Sequence, residues 1–465
     1  MIDLLARHDG SRVALLEPAT GTTLHYDDLC ERASAMAGIL KAHLERRLVF
    51  LLATNTPDAI VLFQACLAAK IPLCLLEPNP AARLAPLLRA YRPQALLVPP
   101  GIEVSIGRRP EPLPESSYQI LWNHDDVNTA AHPDLALLLT TSGSTGSPKL
   151  VRLTRRNVVA NAVSIAEYLG LTPAERSIQG LPMQYSYGLS LINSHLVAGG
   201  SVVLTRHSFL WPEFWKDFAS TQCTSFAGVP YMYESLHRLR FDPQQYPSLR
   251  TMTQAGGGLR RDLITAFYQK AQAASVRFFV MYGQTEATAR ISYVPAERLG
   301  DKIGAIGVPI PRGRLSLAPV EELEARELVY QGPNVMMGYA EDAESLVKGD
   351  ELQGMLQTGD LATVDDDGFY SVHGRLRRFA KLYGRRVSLE DVERHLETKY
   401  RVLVAAVNRN DSLHIFTEPT NAVSAGDIRL NLAAELNVPP NSIHIETVAK
   451  MPFNSNGKKD YQSFA

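Results

Sequence analysis

Residues 137–149 combine the residue types that bind phosphate. A short apolar run leads into a stretch of hydroxyl residues and glycines, which ends in a lysine. Glycine lets the backbone approach an anion closely because it has no Cβ. Backbone N–H groups and Ser/Thr hydroxyls donate hydrogen bonds to phosphate oxygens, and lysine adds a positive charge. We therefore predict a loop that holds the polyphosphate of a nucleotide. Its predicted ligands are Thr141, Ser142, Gly143, Ser144, Thr145, Gly146 and Lys149.

The spacing in this segment differs from that of the common P-loop. A P-loop has four residues between its first glycine and a Gly-Lys-Ser/Thr triplet, whereas Lys149 follows Pro148 and precedes Leu150. A kinase or GTPase of the P-loop type is therefore disfavoured. The density of hydroxyl groups also disfavours the other interpretation, a Ser/Gly turn that binds nothing.

Two carboxylates further along the chain suit other parts of a nucleotide. Glu286 ends a Tyr-Gly-Gln-Thr-Glu segment that follows an apolar, strand-like run at 278–281. Ligands bind at the carboxyl ends of strands in parallel α/β sheets, and a carboxylate there suits Mg²⁺. Asp360 has two oxygens, which can each accept a hydrogen bond from one hydroxyl of a vicinal diol such as ribose. The alternatives are a surface turn with an incidental glutamate and an aspartate that caps a turn.

Composition and charge exclude several classes of protein. The chain has 465 residues, of which 45% are hydrophobic, and its 47 basic residues nearly balance 48 acidic ones. We therefore expect neither nucleic acid nor an anionic membrane as a partner, so phosphate binding must be local. The N-terminus lacks the regions of a signal peptide, and no apolar run approaches the roughly 20 residues that span a bilayer. These features predict a cytoplasmic protein without membrane insertion.

The hydrophobic pattern predicts an α/β fold with two domains. From residue 1 to about 375, short apolar runs alternate with amphipathic helical patterns, which is typical of mostly parallel sheets covered by helices. After a basic run at 375–378, the pattern changes to that of a compact α+β unit. We therefore expect a large N-terminal domain over 1–377 and a small C-terminal domain over 378–465.

Five segments resemble, in order, the motifs of the adenylate-forming superfamily, which includes acyl-CoA synthetases, peptide-synthetase adenylation domains and luciferases. They are 141–149, 255–259, 282–286, 358–360 with 374–375, and 452–458. Together they extend over nearly the whole chain. The resemblance implies a large domain that binds ATP and the acyl group, and a small mobile domain that carries a catalytic lysine.

The resemblance also implies roles for individual residues. Lys458 would bridge the substrate carboxylate and the α-phosphate, Thr285 would contact that phosphate, and Glu286 would bind Mg²⁺. These three form the expected catalytic set. Tyr282 would pack against adenine, and Asp360 would accept hydrogen bonds from both ribose hydroxyls. The other residues expected to bind the nucleotide are Gly257, Gly283 and Arg375.

The expected acyl pocket contains Tyr185, Ser186, Gly256 and Gly258. Many acyl-CoA synthetases of this family have histidine where this chain has Tyr185. Amino-acid adenylation domains have aspartate at the position of Ser186, where it pairs with the substrate ammonium. An unpaired ammonium is costly to bury, so Ser186 disfavours an ordinary α-amino acid. The aromatic and small residues here predict an uncharged acyl or aryl acid.

The chain departs from the family at the expected hinge. The pattern Gly-Arg-x-x-Asp-x-Ile-Lys of the family usually has an aspartate, and less often a basic residue, where this chain has Arg378. Hinge residues absorb backbone rotation, and their identity can vary. The resemblance therefore still implies a two-state rotation. Lys458 would face the site for adenylation, and the segment with Lys381 and Gly384 would replace it for thiol capture.

The predicted activity is ATP-dependent activation of a carboxylic acid. The acid and MgATP give an acyl-adenylate and pyrophosphate, and a thiol of coenzyme A or of a carrier protein's phosphopantetheine then takes the acyl group. Because the chain ends soon after Lys458, we expect any carrier protein to be a separate partner. One alternative is a stand-alone amino-acid adenylating enzyme. Another is a non-catalytic nucleotide-binding scaffold, which the complete set of charged motif residues disfavours. A luciferase-like oxidation would share the first step.

Overall fold

The computed structural model describes most of the chain. The described residues are 1–44, 47–79, 81–104, 110–123, 131–140, 149–320, 325–376, 378–382, 385–409, 412–419, 423–436, 438–453 and 458–464. Within these ranges, no helix is long and apolar enough to cross a membrane.

Eleven α-helices lie in the described residues. They are α1 (Ile2–Leu5), α2 (Tyr26–His43), α3 (Pro57–Ala69), α4 (Ala81–Tyr91), α5 (Arg155–Leu169), α6 (Ser186–Val197), α7 (Pro212–Ser220), α8 (Pro230–Arg238), α9 (Arg261–Ala273), α10 (Leu389–Tyr400) and α11 (Ala425–Leu436). Local sequence explains where several of them begin. Thr56 caps α3 with its side chain ahead of a proline at the first helical position, and Thr154 and Asn157 form a reciprocal capping box on α5.

The same residues contain 26 β-strands. They are β1 (Val13–Glu17), β2 (Thr22–His25), β3 (Val49–Leu52), β4 (Leu73–Leu76), β5 (Ala95–Val98), β6 (Glu111–Pro112), β7 (Gln119–Trp122), β8 (Leu135–Thr140), β9 (Leu150–Thr154), β10 (Arg176–Ile178), β11 (Ser201–Val203), β12 (Ser225–Gly228), β13 (Thr251–Gln254), β14 (Arg277–Tyr282), β15 (Ser292–Val294), β16 (Val308–Pro309), β17 (Arg314–Pro319), β18 (Arg326–Gln331), β19 (Gly338–Ala340), β20 (Met355–Val364), β21 (Tyr370–Arg375), β22 (Phe379–Leu382), β23 (Arg385–Ser388), β24 (Val404–Arg409), β25 (Ser412–Thr417) and β26 (Ile443–Thr447).

Two large sheets have parallel centres and antiparallel edges. The first has nine strands in the order β16-β15-β14-β13-β12-β10-β11-β1-β2, and the second has eight in the order β19-β9-β8-β4-β3-β5-β7-β6. In the first sheet the strands from β14 to β1 run parallel, with Met252 of β13 opposite Phe278 of β14. Parallel strands bring their carboxyl ends to one edge, which is where ligands bind in such sheets.

One hydrophobic core joins these two sheets through the helices between them. It includes Leu15 of β1, Phe63 of α3, Leu73 of β4 and Ile192 of α6, all fully buried. The central strands are apolar on both faces, as expected for parallel strands that helices cover on both sides. The predicted α/β class is confirmed.

A smaller antiparallel sheet follows, in the order β17-β18-β20-β21. Its last two strands pair Asp360 of β20 with Arg375 of β21, so two residues from different predicted motifs are direct neighbours across the sheet. This pairing places the predicted ribose carboxylate and its basic neighbour side by side.

The C-terminal residues have cores of their own. A two-stranded sheet (β22-β23) and a three-stranded sheet (β24-β25-β26) pack with α10 and α11. The two hydrophobic clusters that hold them together contain only residues from Ala380 onwards. The division at residues 377 and 378 stays a prediction, and it falls between β21 and β22.

Candidate active site

Several predicted site residues meet at the carboxyl edge of the nine-stranded sheet. The glycine-rich segment follows β13, and the Tyr-Gly-Gln-Thr-Glu segment overlaps the end of β14. Tyr282 is the last residue of that strand rather than a loop residue, because it pairs with Ser292 of the antiparallel β15. Ser186 begins α6, and its hydroxyl lies 3.2 Å from that of Thr285. This hydrogen bond links the predicted acyl pocket to the predicted phosphate contact.

The predicted phosphate loop lies outside the described residues. This applies to Thr141, Ser142, Gly143, Ser144, Thr145 and Gly146. Its flanks are described: β8 ends at Thr140, and β9 begins at Leu150 as its antiparallel neighbour. Residues 141–148 therefore connect two strands that are neighbours in the sheet, and Lys149 follows them.

Tyr339 connects Lys149 to Glu286. The Lys149 Nζ lies 3.7 Å from the centroid of the Tyr339 ring, and the Tyr339 hydroxyl donates to Glu286 Oε1 at 2.8 Å. Sequence reasoning did not assign Tyr339 to the site, since it lies in β19, far from either residue along the chain. The contact brings the predicted phosphate cation and the predicted metal ligand to one place.

Glu286 is the predicted ligand of Mg²⁺. It is partly buried, and one of its oxygens is oriented by the Tyr339 hydroxyl. Among the described residues, no group of three or more His, Cys, Asp or Glu side chains could hold a metal ion. A lone carboxylate is nevertheless compatible with Mg²⁺, which is commonly held by one or two carboxylates together with substrate phosphates.

Asp360 is buried and accepts hydrogen bonds from three other side chains. Its Oδ2 accepts from the Tyr282 hydroxyl and, at 2.9 Å, from Gln284 Nε2. Its Oδ1 accepts from Arg375 Nε at 2.9 Å. Burial, and then the charge of Asp360, raise the pKa of the Tyr282 phenol, which therefore stays a donor. The network unites the predicted adenine and ribose residues with Gln284, which the sequence interpretation did not single out.

Glycine is required at two positions beside this edge. A Cβ on Gly256, whose φ is +86°, would lie 2.5 Å from the Tyr185 hydroxyl and 3.0 Å from a methyl of Val229. A Cβ on Gly283 would lie 1.7 Å from the Ala289 carbonyl oxygen. The space at Gly256 is thus taken up by Tyr185, whose pKa is raised by burial.

The neighbouring glycines are less constrained. A Cβ on Gly257 would approach Pro230 to 3.2 Å, and the Gly257 carbonyl accepts from Gln254 Nε2 at 2.9 Å. A Cβ on Gly258 would meet no atom within 4 Å. Of these three glycines, only Gly256 is placed so that an added Cβ would meet Tyr185.

Lys458 reaches this site from the C-terminal part of the chain. Its Nζ lies 5.7 Å from the centroid of the Tyr185 ring. Burial and the charge of Arg375 lower the pKa of Lys458 to about 8, while Glu286 and Asp360 act in the opposite direction. The lysine is therefore within the electrostatic field of three of the predicted site residues.

Lys459 points elsewhere. Its Nζ donates to Glu397 Oε1 at 2.5 Å and to the Val404 carbonyl at 2.6 Å. Both partners belong to the C-terminal part of the chain. Of the two adjacent lysines, it is Lys458 that the structure brings to Tyr185.

Arg378, at the predicted hinge, is bound by the C-terminal residues. It donates to Glu390 at 3.2 Å, to Glu393 at 2.8 Å and to the Ala406 carbonyl at 3.0 Å. Its guanidinium also lies 4.0 Å from the centroid of the Tyr461 ring. Lys381 follows in β22, where its backbone pairs with that of Arg386, and Gly384 lies outside the described residues.

Known proteins with similar sequences include coenzyme A synthases and ligases. The family model described as AMP-binding enzyme matches residues 4–340. A feruloyl-CoA synthase from Amycolatopsis sp is 33% identical over 273 residues, 57% of this chain and 54% of that protein. An oxalate–CoA ligase from Arabidopsis thaliana is 29% identical over 340 residues, 71% of this chain and 64% of that protein. The chain thus spans about half the length of the first of these relatives.

Solved structures show the same fold. The o-succinylbenzoate coenzyme A synthetase (MenE) from Bacillus subtilis, in complex with ATP and magnesium ion, has a TM-score of 0.77 at 23% identity, over 98% of this chain and 97% of that one. The structural match extends through the C-terminal residues, whereas the family model ends at residue 340. These findings confirm the resemblance to the adenylate-forming superfamily. The chain belongs to the AMP-binding enzyme family.

Proposed function

We propose that this protein is an AMP-forming acid–thiol ligase. One observation carries the proposal. Lys458 lies over Tyr185 while the charges of Glu286, Asp360 and Arg375 all act on it. These residues come from separate motifs, and each is of the type that adenylation requires. The proposed site therefore groups three charges that adenylation needs. They are the Lys458 cation for the reacting carboxylate, the Glu286 carboxylate for magnesium and the Asp360 carboxylate for ribose.

In the first half-reaction, a carboxylate oxygen of the acid attacks the α-phosphorus of ATP. The new C–O–P linkage forms as the bond to pyrophosphate breaks, which gives acyl-adenylate and pyrophosphate. The Lys458 ammonium reduces the repulsion between the two anionic reactants and stabilises the charge that develops at the phosphorus. Thr285, held by Ser186, donates to the α-phosphate.

The nucleotide is held by the residues around β14 and β20. Tyr282 and the glycine-rich segment contact adenine, and Asp360 with Arg375 binds the ribose. Glu286 would hold Mg²⁺, which would supply positive charge to neutralise the phosphate oxygens. Lys149 adds a cation beside Glu286, and Tyr339 orients that carboxylate.

In the second half-reaction, a thiolate attacks the acyl carbon, the thioester bond forms and AMP leaves. Coenzyme A is the proposed acceptor, since the relatives are named for coenzyme A ligation. A separate phosphopantetheine-bearing carrier protein is the alternative acceptor. We propose that residues near Arg378 rotate between the two steps, so that Lys381 and Gly384 replace Lys458 at the site.

The acid is proposed to lack an α-ammonium group. Ser186 contacts Thr285 and offers only a hydroxyl to a substrate. An ammonium buried there would have no counter-charge from this residue. The second candidate function, which Ser186 disfavours, is a stand-alone amino-acid adenylating enzyme. Such an enzyme would show ATP–pyrophosphate exchange with amino acids.

The test is ATP–pyrophosphate exchange with fatty, short-chain, aryl, dicarboxylic and amino acids, with Lys458→Ala as the control. Exchange with one class of acid, lost in the variant, supports adenylation and names that class. ATP binding without exchange for any acid would instead support the scaffold alternative. Thioester formation is then measured with coenzyme A and with a loaded carrier protein. Lys381→Ala should impair this step while exchange continues, and equal loss of both steps would contradict the proposed rotation.

A further inference from the structure

Arg290 is a buried arginine without a carboxylate partner in the described part of the chain. Its side chain is 1% exposed, and its Nε has no hydrogen-bond partner. The guanidinium carbon lies 3.9 Å from the centroid of the Tyr187 ring. The guanidinium also donates a hydrogen bond to the phenol oxygen of Tyr168. By contrast, the equally buried Arg152 forms an ion pair with Glu351 and donates to the carbonyls of Tyr339 and Lys348.

Two hydrogen bonds to its backbone carbonyl hold Arg290 in position. Its carbonyl oxygen accepts from Asn161 Nδ2 at 3.1 Å and from Asn334 Nδ2 at 2.9 Å. Arg290 lies between β14 and β15, on the segment that begins with the predicted catalytic residues Thr285 and Glu286. The segment that presents Glu286 to the nucleotide therefore also places Arg290.

The guanidinium packs against Tyr187, whose ring neighbours that of Tyr185 in the predicted acyl pocket. Tyr187, which it covers, is in the first turn of α6, and the Tyr187 hydroxyl bonds to Thr253 of β13. Burial raises the pKa of Tyr185 and Tyr187, and the positive charge of Arg290 opposes that rise in both. The positive charge of Arg290 therefore acts on Tyr185, the residue beside Gly256.

A series of contacts connects Arg290 to the reacting end of the substrate. Lys458 Nζ lies 5.7 Å from the Tyr185 ring, whose centroid is 6.2 Å from that of Tyr187, and Arg290 lies on the far ring. An acid with its reacting carboxylate at Lys458 would have to extend past Tyr185 to reach Arg290.

A buried cation without an anion is unfavourable. Removing a guanidinium from water carries a large desolvation penalty, which aromatic contacts offset only in part. Buried charges are ordinarily paired, and an arginine is suited to a carboxylate or a similar planar or trigonal anion because its donors form a fixed fork. The missing partner is therefore best supplied by a ligand.

We propose that Arg290 binds a second anionic group, a carboxylate or a sulfonate, on the acid that this enzyme activates. The inference rests on the proposed function and adds the class of substrate. It replaces the uncharged acid that the aromatic and small residues of the pocket predicted from sequence. Arg290 is then a specificity residue, and Lys458 acts on the other end of the same molecule.

The experiment compares pairs of acids that differ by one anionic group, such as succinate with butyrate and phthalate with benzoate, in ATP–pyrophosphate exchange. The wild-type enzyme should favour the dianionic member of a pair. Arg290→Met should lower kcat/KM for that member by about 100-fold and change the value for the monocarboxylate by less than about threefold. Arg290→Lys keeps the charge and should retain part of the preference. Arg152→Met removes a buried guanidinium elsewhere and should leave the preference unchanged.

Melting temperature and ATP binding are measured for each variant, so that a folding defect is recognised. If Arg290→Met does not fold, the wild-type preference and the Arg290→Lys variant decide the matter. A wild-type preference for monocarboxylates, or an equal loss for both members of a pair in Arg290→Met, would overturn the proposal. Either result leaves adenylation itself intact, whereas absence of exchange with every acid would overturn the proposed function.

Discussion

The ammonium of Lys458 lies 5.7 Å from the centre of the Tyr185 ring, although the two residues belong to different parts of the fold. Tyr185 precedes the helix α6 between the two large sheets, and Lys458 lies six residues before the last described residue of the chain. A second contact involves the same two parts of the fold: the centroid of the Phe453 ring lies 4.8 Å from that of Tyr231 on α8. The C-terminal residues therefore contribute to the same candidate site as the nine-stranded sheet.

Replacing Lys458 should abolish most adenylation activity. Loss of its charge leaves the carboxylate and the α-phosphate without a bridging cation, so Lys458→Ala should lower kcat for pyrophosphate exchange by about 10²-fold to 10³-fold. Lys459→Ala is the matched control, since its ammonium bonds to Glu397 and Val404 instead. That variant should lose thermal stability and keep most of its exchange activity. Comparable losses in both variants would show that Lys458 has no special role.

The rate of adenylation should fall as the pH rises through about 8. Burial and Arg375 lower the pKa of Lys458 to about 8, and only the protonated form can stabilise the phosphate charge. Because kcat/KM reports on the free enzyme, its pH profile should show a descending limb near that value. Lys458→Arg should remove the limb, since arginine stays protonated. A wild-type limb near the ordinary lysine value of 10.5 would contradict the prediction.

Substitution of Gly256 should impair both stability and acid binding. In Gly256→Ala the added methyl would lie 2.5 Å from the Tyr185 hydroxyl, at a backbone φ of +86° that favours glycine. We expect a loss of about 1–3 kcal/mol in the free energy of unfolding and a raised KM for the acid. Gly258→Ala meets open space and should change stability by less than about 0.5 kcal/mol. Chemical denaturation of both variants tests this, and equal effects would count against the close contact.

Asp360 should control the affinity for ATP. Asp360→Asn preserves the shape of the side chain but weakens its bonds to Arg375 and to the ribose, so KM for ATP should rise by roughly 10-fold to 100-fold. Tyr282→Phe removes one donor and leaves the carboxylate in place, so it should have a smaller effect. The KM for ATP of the two variants is compared by measuring ATP–pyrophosphate exchange as a function of ATP concentration at saturating acid. An unchanged KM for ATP in Asp360→Asn would remove Asp360 from the nucleotide site.

The residues of the candidate site could be named from the sequence because each motif is short and local. The resemblance of 282–286 and 358–360 to motifs of the adenylate-forming superfamily predicted nucleotide binding before any contact was known, and the run at 278–281 became most of β14. The sequence could not indicate that Tyr282, Gln284 and Arg375 all donate to Asp360. That arrangement depends on how the nine-stranded sheet and the four-stranded sheet pack against each other.

The sequence by itself determined the α/β class, the order of the elements and the residue types of each motif, because hydrophobic periodicity and local spacing act over a few residues. Only the tertiary structure decided which of these residues are neighbours. It brought Tyr339 between Lys149 and Glu286, directed Lys458 rather than Lys459 to Tyr185, and buried Arg290 against Tyr187. The physical reason is that burial and electrostatic fields depend on distances across the fold. For residues far apart in sequence, strand register and packing set those distances, and the types of the residues do not.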